Sequence, residues 1–379
     1  MPAEGSNHRP GRGGTVVLYS HGDAGNPRNH DFMTRMEIGK RLAALTCSRF
    51  QGEYEAGARY ATPLYFVPGR TLRADVARQL GIVTERDLYG GVVPLDFVAG
   101  KTITHPLVAP DAAAPQGWCE SFCEAARDVV LPGYSAFSRE DVRTAGRKLL
   151  ARGAVRIKPA EALGGRGQYV VRDAAALDKI VEALDPTALA RSGAVVEENL
   201  YEVRTCSVGQ VRVGAACVSY YGTQKLTSDN TGQAVYGGSD LTVVPGDFDA
   251  LLALALTPAQ ALAVEQARTY DRAAFRHFPG LVASRRNYDV AQGLDGAGRW
   301  RSGVLEQSWR LGGASGPELS ALEAFRDDPA LEILRASSIE IYGRRDPPPK
   351  GASVYFHGED DRIGWITKYT VVKGRHADA

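Results

Sequence analysis

Asp289 and Glu306 stand at nearly equal distances from the turn Asp295-Gly296-Ala297-Gly298 in the stretch RRNYDVAQGLDGAGRWRSGVLEQSWRLGG. Two β-rich runs around such a turn predict a hairpin. A regular hairpin sets the two carboxylates opposite each other. Strand alternation then puts Glu306, Ser308 and Arg310 on one face, with Leu305 and Trp309 on the other. Like charges facing across a ladder are destabilising. A hard divalent cation offsets them, and magnesium suits one or two carboxylates combined with phosphate oxygens. Arg310 adds a planar cationic fork beside them. The plain alternative is a surface hairpin of mixed charge.

Two further clusters ask for an anionic ligand. VRIKPAEALGGRGQ places Lys158 just before Gly164, Gly165 and Gly167. A glycine-rich hairpin tip lets backbone N–H groups approach an anion closely, and Lys158 on the adjoining strand points a compact charge into the same space. Together they suit a polyphosphate; the alternative is a flexible hairpin with a surface lysine. VVEENLYE runs an apolar strand into Glu197, Glu198, Leu200 and Glu202. It reads as a hinge for adenine, with backbone groups near Leu200 on the base edge and a nearby carboxylate on the ribose hydroxyls. A solvated strand end is the alternative.

The elements that must position these groups follow from pattern. TVVLYS, YFVPG and VVPLDFVA alternate with helical stretches, one running to about Leu45 and one over TLRADVARQLGI, as in a parallel, doubly wound α/β unit. Ser138 with Asp141 starts a helix that Gly153 ends. AVRIK and QYVVRD are strands around the glycine loop, Asp173 caps a helix to about Leu184, and AVVEENL is a strand. From Glu202 onward strands dominate, broken by one helix from Thr257-Pro258-Ala259-Gln260 to about His277. The expected organisation is a disordered leader (1–14), an N-terminal α/β domain (15–130), a small subdomain carrying glycine loop and hinge (131–201), and a larger one carrying the metal and phosphate site (202–379).

Composition narrows the class. Lys plus Arg number 45 and Asp plus Glu 44, a net charge of +1, which leaves no electrostatic footprint for nucleic acid. No run approaches the roughly 20 apolar residues of a membrane span, and the polar beginning MPAEGSNHRPGRGG lacks a signal-peptide core. The expectation is a cytoplasmic protein with a homodimer left open. Cys119 and Cys123 have no second pair with which to complete a zinc site.

The order lysine and glycine loop, acidic hinge, then paired carboxylates with an arginine resembles the ATP-grasp superfamily. The likeness covers most of the chain, and more narrowly the chain looks like a bacterial family of uncharacterised ATP-grasp-like proteins. The resemblance implies a pre-ATP-grasp-like α/β domain followed by a two-subdomain α+β ATP-grasp fold, with ATP and Mg2+ (or Mn2+) as cofactors. Lys101 falls where these enzymes carry a first ATP lysine, and Lys158 matches the second. VVEENL matches the hinge, LEQSWR the Glu-x-Asn-x-Arg motif, and Asp289 the earlier metal-binding acid. Ser308 replaces the asparagine that helps to hold the second magnesium. Glu202 lies near, though not at, the ribose glutamate, and Arg204 falls closer to that place.

The resemblance also implies a reaction: γ-phosphoryl transfer to a small-molecule carboxylate, then attack by an amine or thiol on the acylphosphate. Arg310 and Lys158 would carry the charge of the transferred group. An ATP-grasp kinase and a nucleotide-binding protein without catalysis are the alternatives. The second substrate would meet His21, Asp23 and Asn26 after the first strand, where open α/β sheets bind ligands. His21, Asp23 and His30 read as polar contacts or turn chemistry rather than metal ligands. Lys225 lies in a polar stretch, KLTSDNTGQAVYGGSD, that reads as a lid or a plain surface loop, and His357–Asp361 reads as a hairpin turn.

Overall fold

A computed structural model describes residues 13–21, 26–160 and 167–374. Most of the expected leader, Asp23, Gly164 and Gly165 lie outside the described residues. The strand Thr15–Tyr19 is the centre of a three-stranded parallel sheet, between Arg49–Glu53 and Leu64–Pro68. The helix His30–Leu45 covers it, and Asn29 caps that helix by accepting from the Phe32 N–H at 2.8 Å.

The parallel α/β character is present, but the wound unit is shorter than its pattern suggested. VVPLDFVA is not one strand. Gly91–Val93 forms a separate small sheet with Leu72–Arg73 and Val282–Ala283, and the chain then turns into 3₁₀ helix at Asp96–Ala99. Pro94 has no N–H for a ladder, which stops the strand. TLRADVARQLGI supplies the two-residue strand Leu72–Arg73 and then a helix of only six residues, Ala74–Gln79.

Four antiparallel strands follow in the order Gly133–Ala136, Ala194–Glu198, Val155–Pro159, Tyr169–Val171. Ser138 and Asp173 cap the helices Arg139–Leu150 and Ala174–Ala183 as their sequence signals require. Both helices lay apolar faces on the sheet, where Val142, Leu149, Val155, Ile157, Leu177 and Val196 form one core. An unexpected helix, Pro186–Ser192, starts on Asp185 with proline in its first turn.

The rest is an eight-stranded antiparallel sheet. Its order is Trp300–Ser308, Arg285–Leu294, Tyr201–Val213, Ala216–Ser228, Ala234–Pro245, Leu334–Tyr342, Gly364–Gly374, Ser353–Asp360. The helix Pro258–His277 begins with the full capping box of Thr257 and Gln260. It is not alone: Phe248–Leu252 and Ser315–Asp327 are also helices. Every residue from Ser315 to Leu322 is buried. A helix enclosed on all sides carries no amphipathic stripe, and Ala314 before it offers no capping side chain. This helix ties the first unit to the large sheet. Leu42, Leu319 and Leu322 share a core, and Arg41 Nη2 reaches Glu323 Oε2 at 2.6 Å.

Two expected loops are strand. KLTSDNTGQAVYGGSD is mostly the paired ends of two strands around a short turn, and His357–Asp360 belongs to the edge strand Ser353–Asp360.

Candidate nucleotide and metal site

One cleft of about 900 Å3 runs between the four-stranded sheet, the eight-stranded sheet and the first unit. That size suits a cofactor-sized ligand, for which pockets span roughly 300–1,000 Å3. Lys101, Lys158, Glu197, Glu198 and Leu200 line it, together with Asp289, Glu306, Ser308 and Arg310.

The carboxylate hairpin pairs as its turn dictates: Asp289 opposes Glu306, and Asn287 opposes Ser308. Beyond Glu306 the register slips, so that Val304 meets Val290 and Leu305 is an extra residue. This bulge corrects the expected alternation, because an inserted residue re-aims its neighbours. Leu305 faces the cleft beside Glu306 and packs with Leu131, Leu200 and Ala291 into a small apolar slot below the hinge. Trp309 stays on the opposite side, fully buried, with its indole N–H 3.3 Å from the Tyr288 hydroxyl.

Asp289 Oδ1 accepts from Asn287 Nδ2 at 2.9 Å and from Ser207 Oγ at 3.3 Å. Burial, and then the Glu306 charge, push its carboxyl above the usual range. Lys101 Nζ stands 3.1 Å from Glu306 Oε2. No group of three or more His, Cys, Asp or Glu suited to a metal exists among the described residues. A cation on this pair would therefore complete its shell with neutral oxygens and phosphate, the arrangement magnesium favours. The donor chemistry fits: two opposed carboxylates, a hydroxyl at Ser308 and an amide at Asn287.

Lys158 reaches the cleft but is not a loose surface cation. Its ammonium bonds Glu197 Oε1, and His105 Nε2 lies 3.3 Å from Glu197 Oε2. All three side chains are buried. Burial alone would raise the Glu197 carboxyl. The Lys158 charge and the His105 hydrogen bond outweigh it and bring the group to about 2. Glu197 is thus a partner for Lys158 rather than for ribose. Glu198, the next residue, has a buried oxygen, Oε2, with no hydrogen-bond donor, and the Arg301 Nε is 3.9 Å from it. Arg156 links the hinge to the end of the glycine loop, donating to Asn199 Oδ1 at 2.9 Å and to Gln168 Oε1 at 3.1 Å.

A family profile described as "Protein of unknown function (DUF3182)" matches residues 18–370. The chain belongs to the DUF3182 family. No curated protein sequence matches this DUF3182 chain. Solved structures do match its fold. N5-carboxyaminoimidazole synthetase from Staphylococcus aureus complexed with ADP is 11% identical, covers 96% of this chain and 94% of its own, and superposes with a TM-score of 0.55. A biotin carboxylase complex from Campylobacter jejuni is 11% identical over 95% of this chain and 87% of that one, with a TM-score of 0.51. Phosphoribosylamine–glycine ligase from Thermotoga maritima is 13% identical over 96% and 93%, with a TM-score of 0.50. The DUF3182 chain has the ATP-grasp fold.

Several expected residues fall elsewhere. Glu202 is exposed, has a positive φ of 51°, and sits in a bulge between Tyr201 and Arg204, while Val203 and Thr205 face the cleft. Lys225 turns away from the cleft to Asp240 Oδ2 at 2.5 Å, between the lining residues Gln224 and Leu226. Asn26 is exposed and holds Asp361 Oδ2 at 3.0 Å instead of lining the cleft. Gly167 is exposed with a φ of 67° and is not a lining residue. His21 lines the cleft beside Ser20. No helix is long and apolar enough to cross a membrane among the described residues.

Sequence reading missed three groups. Arg285 and Glu318 form a wholly buried pair, Nη2 to Oε1 at 2.9 Å, and Arg285 also bonds the Ser308 and Arg310 carbonyls. That fixes the backbone that presents Ser308 and Arg310. His105 is the second, and the signal available for it was only its place four residues beyond Lys101. The third is a polar group lining the cleft, Asp31, Arg35, Arg70, Glu340 and Lys368, in which Lys368 pairs with Asp31 and Glu340.

Proposed function

We propose that this chain is an ATP- and magnesium-dependent ligase that activates a small-molecule carboxylate as an acylphosphate for attack by an amine or thiol, releasing ADP and phosphate. One observation carries the reading. The lysine-bearing strand, the hinge and the opposed carboxylates are far apart in sequence, yet they line a single cleft large enough for a nucleotide. The neighbour complexed with ADP supports a nucleotide in this fold.

The apolar slot of Leu131, Leu200, Ala291 and Leu305 offers flat contact for adenine, and the unsatisfied Glu198 oxygen offers an acceptor for an amino or hydroxyl group. Lys158, oriented by Glu197, and Lys101 neutralise phosphate oxygens. Magnesium, held by Asp289 and Glu306, would supply charge neutralisation at the phosphates. Arg310 faces the same space. Burial and the neighbouring Arg285 oppose its charge, so an incoming anion gains a strong partner there. Positioning and electrostatics, with no covalent step on the protein, are what phosphoryl transfer asks of a site. The polar group around Lys368 in the same cleft is where carboxylate and acceptor would sit, outside the carboxyl ends of the first sheet.

The test supplies purified protein with Mg2+, ATP and pools of small acids and amines, following ADP and phosphate. Phosphate release that needs both an acid and an amine or thiol supports the ligase. A stable phosphorylated product identifies a kinase instead, and tight ATP binding without turnover under every pool identifies a binding protein.

A further inference from the structure

At Ser308 this chain lacks an amide beside its carboxylate pair. Directly across the ladder, at the position paired with Ser308, stands Asn287. It lies two residues before Asp289, so its side chain shares the carboxylates' face, and it lines the cleft. It is nine-tenths buried, with relative exposure of 9%.

Its hydrogen bonds do not close as they stand. Tyr220 Oη is 2.9 Å from Asn287 Oδ1 and 2.7 Å from Glu318 Oε1. A phenol has one proton to give. Glu318 is the shorter contact, and it is held by the Arg285 guanidinium, with the Tyr89 hydroxyl at 2.5 Å on its other oxygen. A charge-assisted bond outcompetes a neutral one, so the Tyr220 proton goes to Glu318. Asn287 Oδ1 then faces an oxygen that offers it nothing. With a cation at Asp289, a half-turn of the amide satisfies both of its ends: Nδ2 donates to Tyr220 Oη, and Oδ1 takes the place 2.9 Å from Asp289 Oδ1. Two acceptors at that separation repel unless a proton or a metal cation lies between them, and the metal reading above supplies the cation. Adjacent oxygens of a magnesium octahedron, each about 2.1 Å from the ion, are about 3.0 Å apart. The 2.9 Å spacing matches the edge of such a shell.

We propose that Asn287 supplies the amide oxygen of the divalent-cation site. The Tyr220–Glu318–Arg285 chain selects which end of the amide faces the ion. Asp289 keeps its Ser207 donor, itself backed by Gln224 Nε2 at 2.9 Å. A glycine at 209 makes room for the selecting group, because a Cβ there would lie 2.3 Å from the Tyr220 hydroxyl. This inference rests on the nucleotide and metal reading above.

The experiment titrates Mn2+ into protein saturated with a non-hydrolysable ATP analogue and follows the bound ion by electron paramagnetic resonance, against analogue alone. Asn287→Ala should weaken Mn2+ at least about tenfold, the loss typical of a disturbed metal environment. Ser308→Ala should change it less than about threefold. Adding Ser308→Asn to Asn287→Ala should restore binding to within about threefold of wild type. Asn287→Asp separates the two ends of the amide: an oxygen ligand keeps or tightens Mn2+ binding, whereas a donor to Asp289 loses it as alanine does. Unchanged binding in Asn287→Ala, or an aspartate variant as weak as alanine, overturns the proposal and leaves the nucleotide reading standing. Absence of protein-dependent Mn2+ binding in the wild type overturns both.

Discussion

Glu197→Gln is the sharpest probe of how the phosphate lysine is held. The substitution keeps the shape and removes the anion between two buried partners, Lys158 and His105. The folded carboxyl titrates near 2 against an ordinary value of 4.5. At about 1.4 kcal/mol per tenfold change in acidity, that lowering corresponds to about 3.5 kcal/mol. The figure sits at the low end of the roughly 3–5 kcal/mol lost when one member of a buried pair is removed. Because the folded pKa is depressed, this stability is present above the unfolded value of 4.5 and lost as pH falls toward 2. At pH 4 about 2.5 kcal/mol should remain, and at pH 3 about 1.5 kcal/mol. Denaturant unfolding of wild type and variant at pH 7, 4 and 3 reads the gap directly. A gap below about 1 kcal/mol at pH 7, or one that does not shrink with acid, would refute the claim that Glu197 is an ionised anchor. In the same variant the analogue should bind more weakly, because Lys158 loses the partner that orients it.

Further outcomes follow from the same geometry. Glu306→Gln should lower magnesium-dependent ATP turnover at least about a hundredfold, since it removes one of two opposed carboxylates; wild-type rates in that variant would remove the metal assignment. Leu305→Ala should weaken the analogue by about 1 kcal/mol, roughly fivefold, measured by calorimetry, because the bulge puts this side chain in the apolar slot. Lys225→Ala should leave analogue affinity unchanged, as its ammonium is committed to Asp240 outside the cleft. Glu318→Gln should destabilise the protein by about 3 kcal/mol or more in denaturant unfolding, because Arg285 would be left buried beside a neutral group.

Local chemistry made much of this protein legible. Caps at Ser138, Asp173 and Thr257, the glycines of the Asp295–Gly298 turn and the β-rich runs each act within a few residues, and the corresponding elements form where those signals stand. The opposition of Asp289 and Glu306 was readable for the same reason: hairpin register is set by its own turn. The buried helix Ser315–Asp327 was not readable, because enclosure on all sides erases the periodicity that marks a helix. Lys225 read equally as part of a lid or of a plain surface loop, because its partner Asp240 lies on the neighbouring strand.

By itself, then, the sequence determined many of the strands, the caps and the residue types that can meet a polyphosphate and a hard cation. Tertiary structure alone decided that Glu197 answers to Lys158 and His105, that a one-residue slip turns Leu305 into the cleft, and that Tyr220 stands behind Asn287. The reason is range. Turns and caps depend on neighbours along the chain, whereas the partner of a buried charge or amide is chosen by which distant segments pack together and which of their hydrogen bonds can be satisfied at once.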